Sequence, residues 1–173
     1  MSNAPIEGDS GAGDDTGNTN PNIEQTSTIT TTYKGVTKTW YTKRVNSHYG
    51  SVNTATLYRQ EDGTFQILLV SKPTVENEPP SSDTFSFALQ LPTITTGTFS
   101  TGSLMQYDVN GVQANNAFQT SDVTFTPYDA VFTTAEDDGT DVHLIGTITD
   151  FPITSLDTGE TDNITVEFDI TAS

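Results

Sequence analysis

Apolar and polar residues alternate along most of the chain after residue 25. The alternation is clearest at residues 85–91, where the large apolar side chains are Phe85, Phe87, Leu89 and Leu91. Because successive side chains of a β-strand point to opposite faces, a period of two places these four on one face. Residues 163–171 repeat the pattern, with apolar residues at 164, 166, 168 and 170. The charges between them are typical of a solvated face or of a protected sheet edge.

Further strands are predicted at residues 27–34, 36–45, 52–59, 64–71, 98–100, 104–109, 115–126, 130–134 and 141–149. Their Thr, Val, Ile, Phe and Tyr residues fit pleated sheets, and no stretch has the period of a helix. Residues 64–71 are apolar on both faces, which predicts a central strand. Asp62-Gly63 and Asn110-Gly111 predict tight turns. Gly146 lies on an apolar strand face and predicts a bulge or a close approach.

Strands joined by short turns, without helices between them, predict antiparallel pairing and an all-β fold. We favour a single antiparallel β-sandwich over residues 26–173, and an up-and-down β-barrel is the alternative. Residues 1–25 are predicted to be a disordered linker, because Gly, Asp, Asn and Thr bury too little surface to offset their ordering entropy. The first four residues have the character of an expression tag, so a leader is expected upstream.

The charge of the chain is strongly acidic, with 23 Asp and Glu against 6 Lys and Arg and a net charge of −17. Such a surface disfavours nucleic acids and anionic membranes as partners. No apolar run is long enough for membrane insertion. Cysteine is absent, which excludes disulfides, thiolate metal sites and a cysteine nucleophile.

The basic residues are confined to one part of the sequence, between positions 34 and 72. They are Lys34, Lys38, Lys43, Arg44, Arg59 and Lys72. We expect them mainly to offset acids on neighbouring strands. The alternative is a basic patch that binds an anionic ligand.

Aromatic residues accompany these cations and define a candidate glycan site. Exposed rings stack on sugars, and guanidinium groups bind acidic ones. The candidate ligand-binding residues are Tyr33, Trp40, Tyr41, Arg44, Tyr58 and Arg59. The competing interpretation, which we favour, is that Trp40 and most of the tyrosines fill the core or shield strand edges.

One acidic turn is a candidate calcium site, formed by Glu136, Asp137, Asp138 and Asp141. Carboxylates are ligands for hard cations, but the spacing is not that of an EF-hand loop. A polar hairpin loop explains the same residues, so we expect at most weak calcium affinity. No other cofactor is predicted.

Catalytic signatures are missing from the sequence. Neither a Gly-x-Ser-x-Gly elbow nor a His-Glu-x-x-His motif occurs. The two histidines, His48 and His143, lack a third residue at zinc-ligand spacing. We therefore predict a protein that is not an enzyme. A hydrolase would need a deep pocket around one of these histidines.

The order of several motifs resembles small exported lipoproteins of Bacteroidota that contain a domain of unknown function. The motifs are Gly35 followed by Trp40, a hairpin around Gly63, the Phe-rich residues 85–89, Gly97-Thr98-Phe99, Gly146-Thr147-Ile148 and the last strand. The resemblance implies export and surface display, and no activity. Such lipoproteins carry a cysteine directly after the leader, so the resemblance fits only if this sequence begins beyond it.

Together these patterns predict a secreted or cell-surface binding or adhesion module, tethered through its N-terminal linker. Its partner is expected to be a glycan or a surface protein, and a lipid anchor is expected to lie upstream. The alternative is a structural subunit of a surface layer or fibre, and a hydrolase ranks third.

Overall fold

A computed structural model describes residues 23–45, 55–71, 83–116 and 125–172, which form ten β-strands and no helix. The strands are β1 (Ile23–Tyr33), β2 (Val36–Val45), β3 (Thr56–Arg59), β4 (Phe65–Ser71), β5 (Thr84–Leu91), β6 (Gly97–Val109), β7 (Val112–Asn115), β8 (Thr126–Asp137), β9 (Val142–Ser155) and β10 (Thr161–Ala172). The predicted all-β class is confirmed. Within these ranges there is accordingly no helix with the length and apolarity to cross a membrane.

All strand pairs of the described residues are antiparallel, as predicted. Neighbouring strands follow the order β2-β1-β10-β9-β7-β6-β5-β4-β3, and β8 pairs with both β6 and β9. The strands β6, β7, β9 and β8 therefore close into a small barrel, and the others extend from it. The sandwich of two separate sheets is not confirmed. The barrel alternative is matched only by these four strands.

The alternating residues of β5 and β10 form the centre of the core, as predicted. Phe85, Phe87 and Leu89 are at most 1% exposed, and the alternate apolar residues of β10 are buried too. The ring of Trp40 on β2 lies 5.8 Å from that of Phe85, and Phe87 lies 5.8 Å from Phe168 on β10. Strands from the two halves of the sheet order, β2 and β10 in one half and β5 in the other, therefore pack on one core. β10 lies between β1 and β9, so its outward charges mark a solvated face and not a sheet edge.

The predicted turns are confirmed where the structure describes them. Asn110 and Gly111 both have positive φ, 52° and 79°, and join β6 to β7. Gly63 has φ 84° between β3 and β4, and the Asp62 carboxylate accepts hydrogen bonds from the backbone and hydroxyl of Thr64. β4 pairs on both sides, as predicted for a central strand.

Gly146 fulfils both expectations for its position. A Cβ atom there would lie 2.5 Å from the carbonyl oxygen of Val131 and 2.6 Å from the ring of Phe168. The pairing of β8 with β9 also shifts register beside it, between Phe132 and Thr134. A bulge on β8 and an aromatic ring on β10 therefore both require glycine on β9.

Several strands are longer than the pattern predicts, among them β1 and β10 at their ends. β6 continues through Gly102, β8 includes Pro127, and β9 continues through Pro152. The predicted strand at 115–126 is described only at its two ends: Asn115 ends β7, a strand that was not predicted, and Thr126 begins β8. The predicted loops at 46–51 and 72–82 lie outside the described residues, as do residues 1–22 of the predicted linker. Residues 23–25, predicted as linker, belong instead to β1 and pair with β2.

Candidate binding site

Two of the predicted ligand-binding aromatics, Trp40 and Tyr33, belong to the core. Trp40 is 0% exposed, and its indole nitrogen donates a hydrogen bond to the Thr31 hydroxyl at 2.8 Å. Tyr33 is 2% exposed, and its ring lies 5.1 Å from that of Tyr107. Burial raises the pKa of both phenols. Neither Trp40 nor Tyr33 presents a ring face to solvent on which a sugar could stack.

The other predicted glycan-binding residues are not gathered into one site. Tyr41 is half-buried on β2 and Tyr58 is exposed on β3, at opposite ends of the strand order. The side chain of Arg44 lies outside the described atoms. The aromatic patch remains a prediction only for Tyr41 and Tyr58.

Arg59 instead pairs with a carboxylate that was predicted to bind metal. Its two terminal nitrogens donate hydrogen bonds to the Asp137 oxygens at 2.8 and 2.6 Å. This bidentate pair and the N–H of Gly139 lower the pKa of Asp137 from 3.8 to about 2. The pair connects β3, the last strand of the sheet order, to the end of β8.

Lys38 on β2 forms a second ion pair, with the Asp83 carboxylate just before β5. The ammonium group also lies 5.3 Å from the Trp40 ring centre. For Lys38 and Arg59, the interpretation that cations offset neighbouring acids is confirmed.

The acidic turn is organised by its own hydrogen bonds. The Asp138 carboxylate accepts the N–H groups of Thr140 and Asp141 at 2.8 and 2.7 Å, which lowers its pKa. Among the described residues no three His, Asp or Glu side chains form a group suited to a metal ion. Calcium binding at Glu136, Asp137, Asp138 and Asp141 remains an untested prediction.

His143 lies on the outward face of β9, as predicted. Its Nε2 atom is 2.8 Å from the Asp169 carboxylate and its Nδ1 atom is 3.8 Å from that of Glu136. The imidazole is about one-third exposed, and His143 is not among the residues that line the groove on β6, β8 and β9. His48, the other candidate, lies outside the described residues.

A groove of about 540 Å³ lies on the outer face of β6, β8 and β9. It is lined by Ser100 of β6, by Pro127, Tyr128, Asp129 and Val131 of β8, and by Thr147 and Thr149 of β9. Val131 is 45% exposed, so its apolar side chain contributes to the surface of the groove. The lining therefore combines apolar side chains with hydroxyl groups and one carboxylate.

The groove forms where β8 exchanges partners. The first half of β8 pairs with β6, the second half pairs with β9, and Val131 pairs with both. β9 pairs with β8 up to Thr147 and with β7 only from Thr154. In the described residues no strand pairs with this edge of β9 at 148–153, so the sheet opens beside the groove.

An irregular backbone at Asp150 borders this opening. Asp150 has φ 56°, and the pairing of β9 with β10 shifts register here. The Tyr128 hydroxyl donates a 2.7 Å hydrogen bond to the Asp150 carbonyl oxygen, and the Tyr128 ring packs edge-on against Phe151. Strained backbone and bulges recur at functional sites. Here Tyr128 holds the two sides of the opening together.

None of the groove residues was singled out by the sequence pattern. Residues 127–129 fall in the predicted break between two strands, at Pro127, and the groove depends on which face of β8 points outward. The one indication in the sequence was Val131, an apolar residue between Ala130 and Phe132. Those two neighbours are buried, so Val131 lies on the opposite, outward face of β8.

Comparison with known proteins identifies no relative. No family model matches the chain, and neither a curated protein nor a solved structure is detectably similar to it. The resemblance to exported lipoproteins remains a prediction.

Proposed function

We propose that this protein is a non-enzymatic, extracellular or cell-surface binding module that contacts its partner through the groove on β6, β8 and β9. The observation that carries the proposal is a groove in which two exposed apolar side chains, Pro127 and Val131, lie beside a carboxylate and several hydroxyl groups. Concave sites with apolar lining and a few convergent polar groups are the usual form of a binding site. Regular strands on both sides keep these groups in fixed positions.

The proposed architecture is sandwich-like around the small barrel. Packing of β2 on β5 and of β10 on β5 across one core supports this arrangement. The proposed location is the cell surface or the extracellular medium, with the residues before β1 as the tether. Its support is the acidic composition and the resemblance of motifs described above.

The test uses an array of neutral glycans, acidic glycans and extracellular proteins. We expect at least one class to bind the protein above background. Val131→Glu places a charge in the groove and is expected to abolish this binding. Val36→Glu is the matched control, because Val36 is 48% exposed on β2. Absence of binding, or binding that survives Val131→Glu, would overturn the proposal.

A second candidate is a subunit of a surface layer or fibre. In the described residues no strand pairs with the outer edge of β2, and unpaired edges are templates for association. Sedimentation velocity over a wide concentration range tests this candidate. A monomer at every concentration rejects it, whereas concentration-dependent growth that Val131→Glu leaves unchanged favours it.

A hydrolase has less support, because the groove lining contains no histidine and His143 lies on an exposed surface. His48 lies outside the described residues.

A further inference from the structure

We propose that the groove binds an uncharged oligosaccharide, with the Asp129 carboxylate as its main polar contact. This inference rests on the proposed function, because it names the ligand class of the same groove.

The position of Asp129 carries the first part of the argument. Asp129 points outward from β8 between Pro127 and Val131, and its cross-strand partner on β6 is Ser100. A carboxylate accepts hydrogen bonds through two oxygens, so it can bind two adjacent hydroxyl groups at once. The neighbouring apolar side chains can contact the C–H groups of the same sugar ring.

The other polar groups of the groove are hydroxyls. Ser100, Thr147 and Thr149 can each donate and accept a hydrogen bond. A sugar hydroxyl also does both, so these groups complement one another. A ligand with many hydroxyl groups matches both the hydroxyls and the carboxylate of the lining, and we therefore favour a polyhydroxylated ligand over a basic peptide.

The charge of the molecule selects against an acidic ligand. The residues that line the groove include no Lys or Arg. The net charge of −17 adds long-range repulsion. Of the cations proposed to bind acidic glycans, Lys38 and Arg59 are paired with Asp83 and Asp137. Neutral sugars avoid this repulsion and still use the carboxylate.

Hydrogen bonds hold the three strands that line the groove at a fixed spacing. The Tyr128 hydroxyl bonds the Asp150 carbonyl across the opening between β8 and β9. The Thr101 hydroxyl bonds the Tyr128 carbonyl oxygen at 3.3 Å from β6. These contacts fix the spacing of the three strands before a ligand arrives, which reduces the entropic cost of binding.

The experiment titrates ¹⁵N-labelled protein with cellohexaose, mannohexaose, xylohexaose and chitohexaose, and separately with hexagalacturonate and an oligolysine. At least one neutral hexasaccharide is expected to shift the amide signals of Asp129, Val131 and Thr147 saturably. The expected dissociation constant is about 1 mM or lower. Hexagalacturonate is expected to leave these signals unchanged, and oligolysine is expected to cause only small shifts spread over the acidic surface, because the net charge of −17 attracts it everywhere.

Two variants test the role of the carboxylate. Asp129→Asn is expected to weaken binding about 10-fold or more, because hydrogen bonds to a charged acceptor are the stronger ones. Glu167→Gln removes an outward carboxylate from β10 and is expected to have no effect. Ser100→Ala, a smaller change on the neighbouring strand, is expected to weaken binding in the same direction as Asp129→Asn. Signal dispersion in the spectrum of each variant reports its folding.

Three outcomes would overturn the inference. They are no shift with any neutral hexasaccharide, groove shifts only with the charged probes, and unchanged affinity in Asp129→Asn. A different result separates failure of this inference from failure of the proposed function. If the array shows Val131→Glu-sensitive binding to an acidic glycan or a protein, the groove remains a binding site and only the ligand class is wrong.

Discussion

Asp83 is a buried carboxylate that joins three parts of the chain. Its side chain is 8% exposed, pairs with Lys38 on β2, and accepts a 2.9 Å hydrogen bond from the N–H of Asn110. It also lies close enough to Tyr107 to raise the pKa of that phenol further. The start of β5, the strand β2 and the β6–β7 turn are therefore held by one side chain.

Replacement of Asp83 is expected to be strongly destabilising. Asp83→Ala leaves a partly buried ammonium group and a backbone donor without their acceptor. The expected loss is about 2–4 kcal/mol in the free energy of unfolding. Urea denaturation at neutral pH measures it, with Asp129→Ala as a control for loss of an exposed carboxylate. A loss comparable with that of the control would contradict this account.

Gly146 is a second residue whose environment fixes its identity. Gly146→Ala brings a methyl group against a backbone carbonyl and the Phe168 ring, and the carbonyl cannot move freely within the pairing of β8. The expected cost is about 2–3 kcal/mol. Gly63→Asn is the control, because Gly63 has positive φ but open space around it. We expect that control to lose about 1 kcal/mol. Thermal unfolding compares the two, and equal losses would show that the close contact relaxes.

At the scale of the elements, sequence reasoning succeeded where one strand face is uniformly apolar. β5 and β10 follow a strict alternation, and Asn110-Gly111 specifies its turn by backbone preference alone. The pattern failed on β9, where buried residues run 142, 144, 146 and 148 and then 151, 153 and 155. The irregular backbone at Asp150 moves the buried side chains from even-numbered to odd-numbered positions. The residues around Asp150 did not lead us to predict this change.

The candidate site was harder to predict because it depends on contacts between residues that are distant in sequence. Trp40 and Arg59 have side chains suited to glycans, but both meet partners that are distant in sequence. Asp137 lies 78 residues from Arg59. The groove depends on β8 changing partners, which is a property of the sheet and not of any residue in it.

The attachment of β3 to β8 is expected to depend on pH. The folded pKa of Asp137, about 2, lies below its ordinary value of 3.8. The stabilisation from this carboxylate is therefore fully present above pH 3.8 and is lost as the pH falls through about 2. Asp137→Asn should be less stable than the native protein at neutral pH, and the difference should shrink over this window.

Urea midpoints at several pH values between neutrality and about pH 2 measure this effect. Asp129→Asn, which removes an exposed carboxylate earlier on β8, is the control. A constant difference between native protein and Asp137→Asn across the whole range would contradict the role of the Arg59 pair.

At the scale of the whole molecule, one continuous sheet encloses one core. Aromatic contacts run from Trp40 through Phe85 and Phe87 to Phe168 and Phe132, and so link β2, β5, β10 and β8. Because no strand of the described part has a separate core, we expect the strands to unfold together.

Cooperativity can be measured with two probes. Trp40 is the single tryptophan and is fully buried, so its fluorescence reports the packing of β2. Far-ultraviolet circular dichroism reports the strands as a whole. The two unfolding midpoints are expected to coincide within error. Loss of the Trp40 signal at a lower urea concentration would show that β2 detaches before the barrel.

The pairing of β1 bears on how a tethered protein would carry mechanical load. β1 is hydrogen-bonded to β2 on one side and to β10 on the other, and the bonds lie across the strand direction. Tension that enters through the preceding residues, while the groove is held by a ligand, pulls β1 along its own axis. Both ladders then bear the force in shear and share it among many bonds. In a protein tethered through these residues, β1 would therefore be among the hardest strands to pull out.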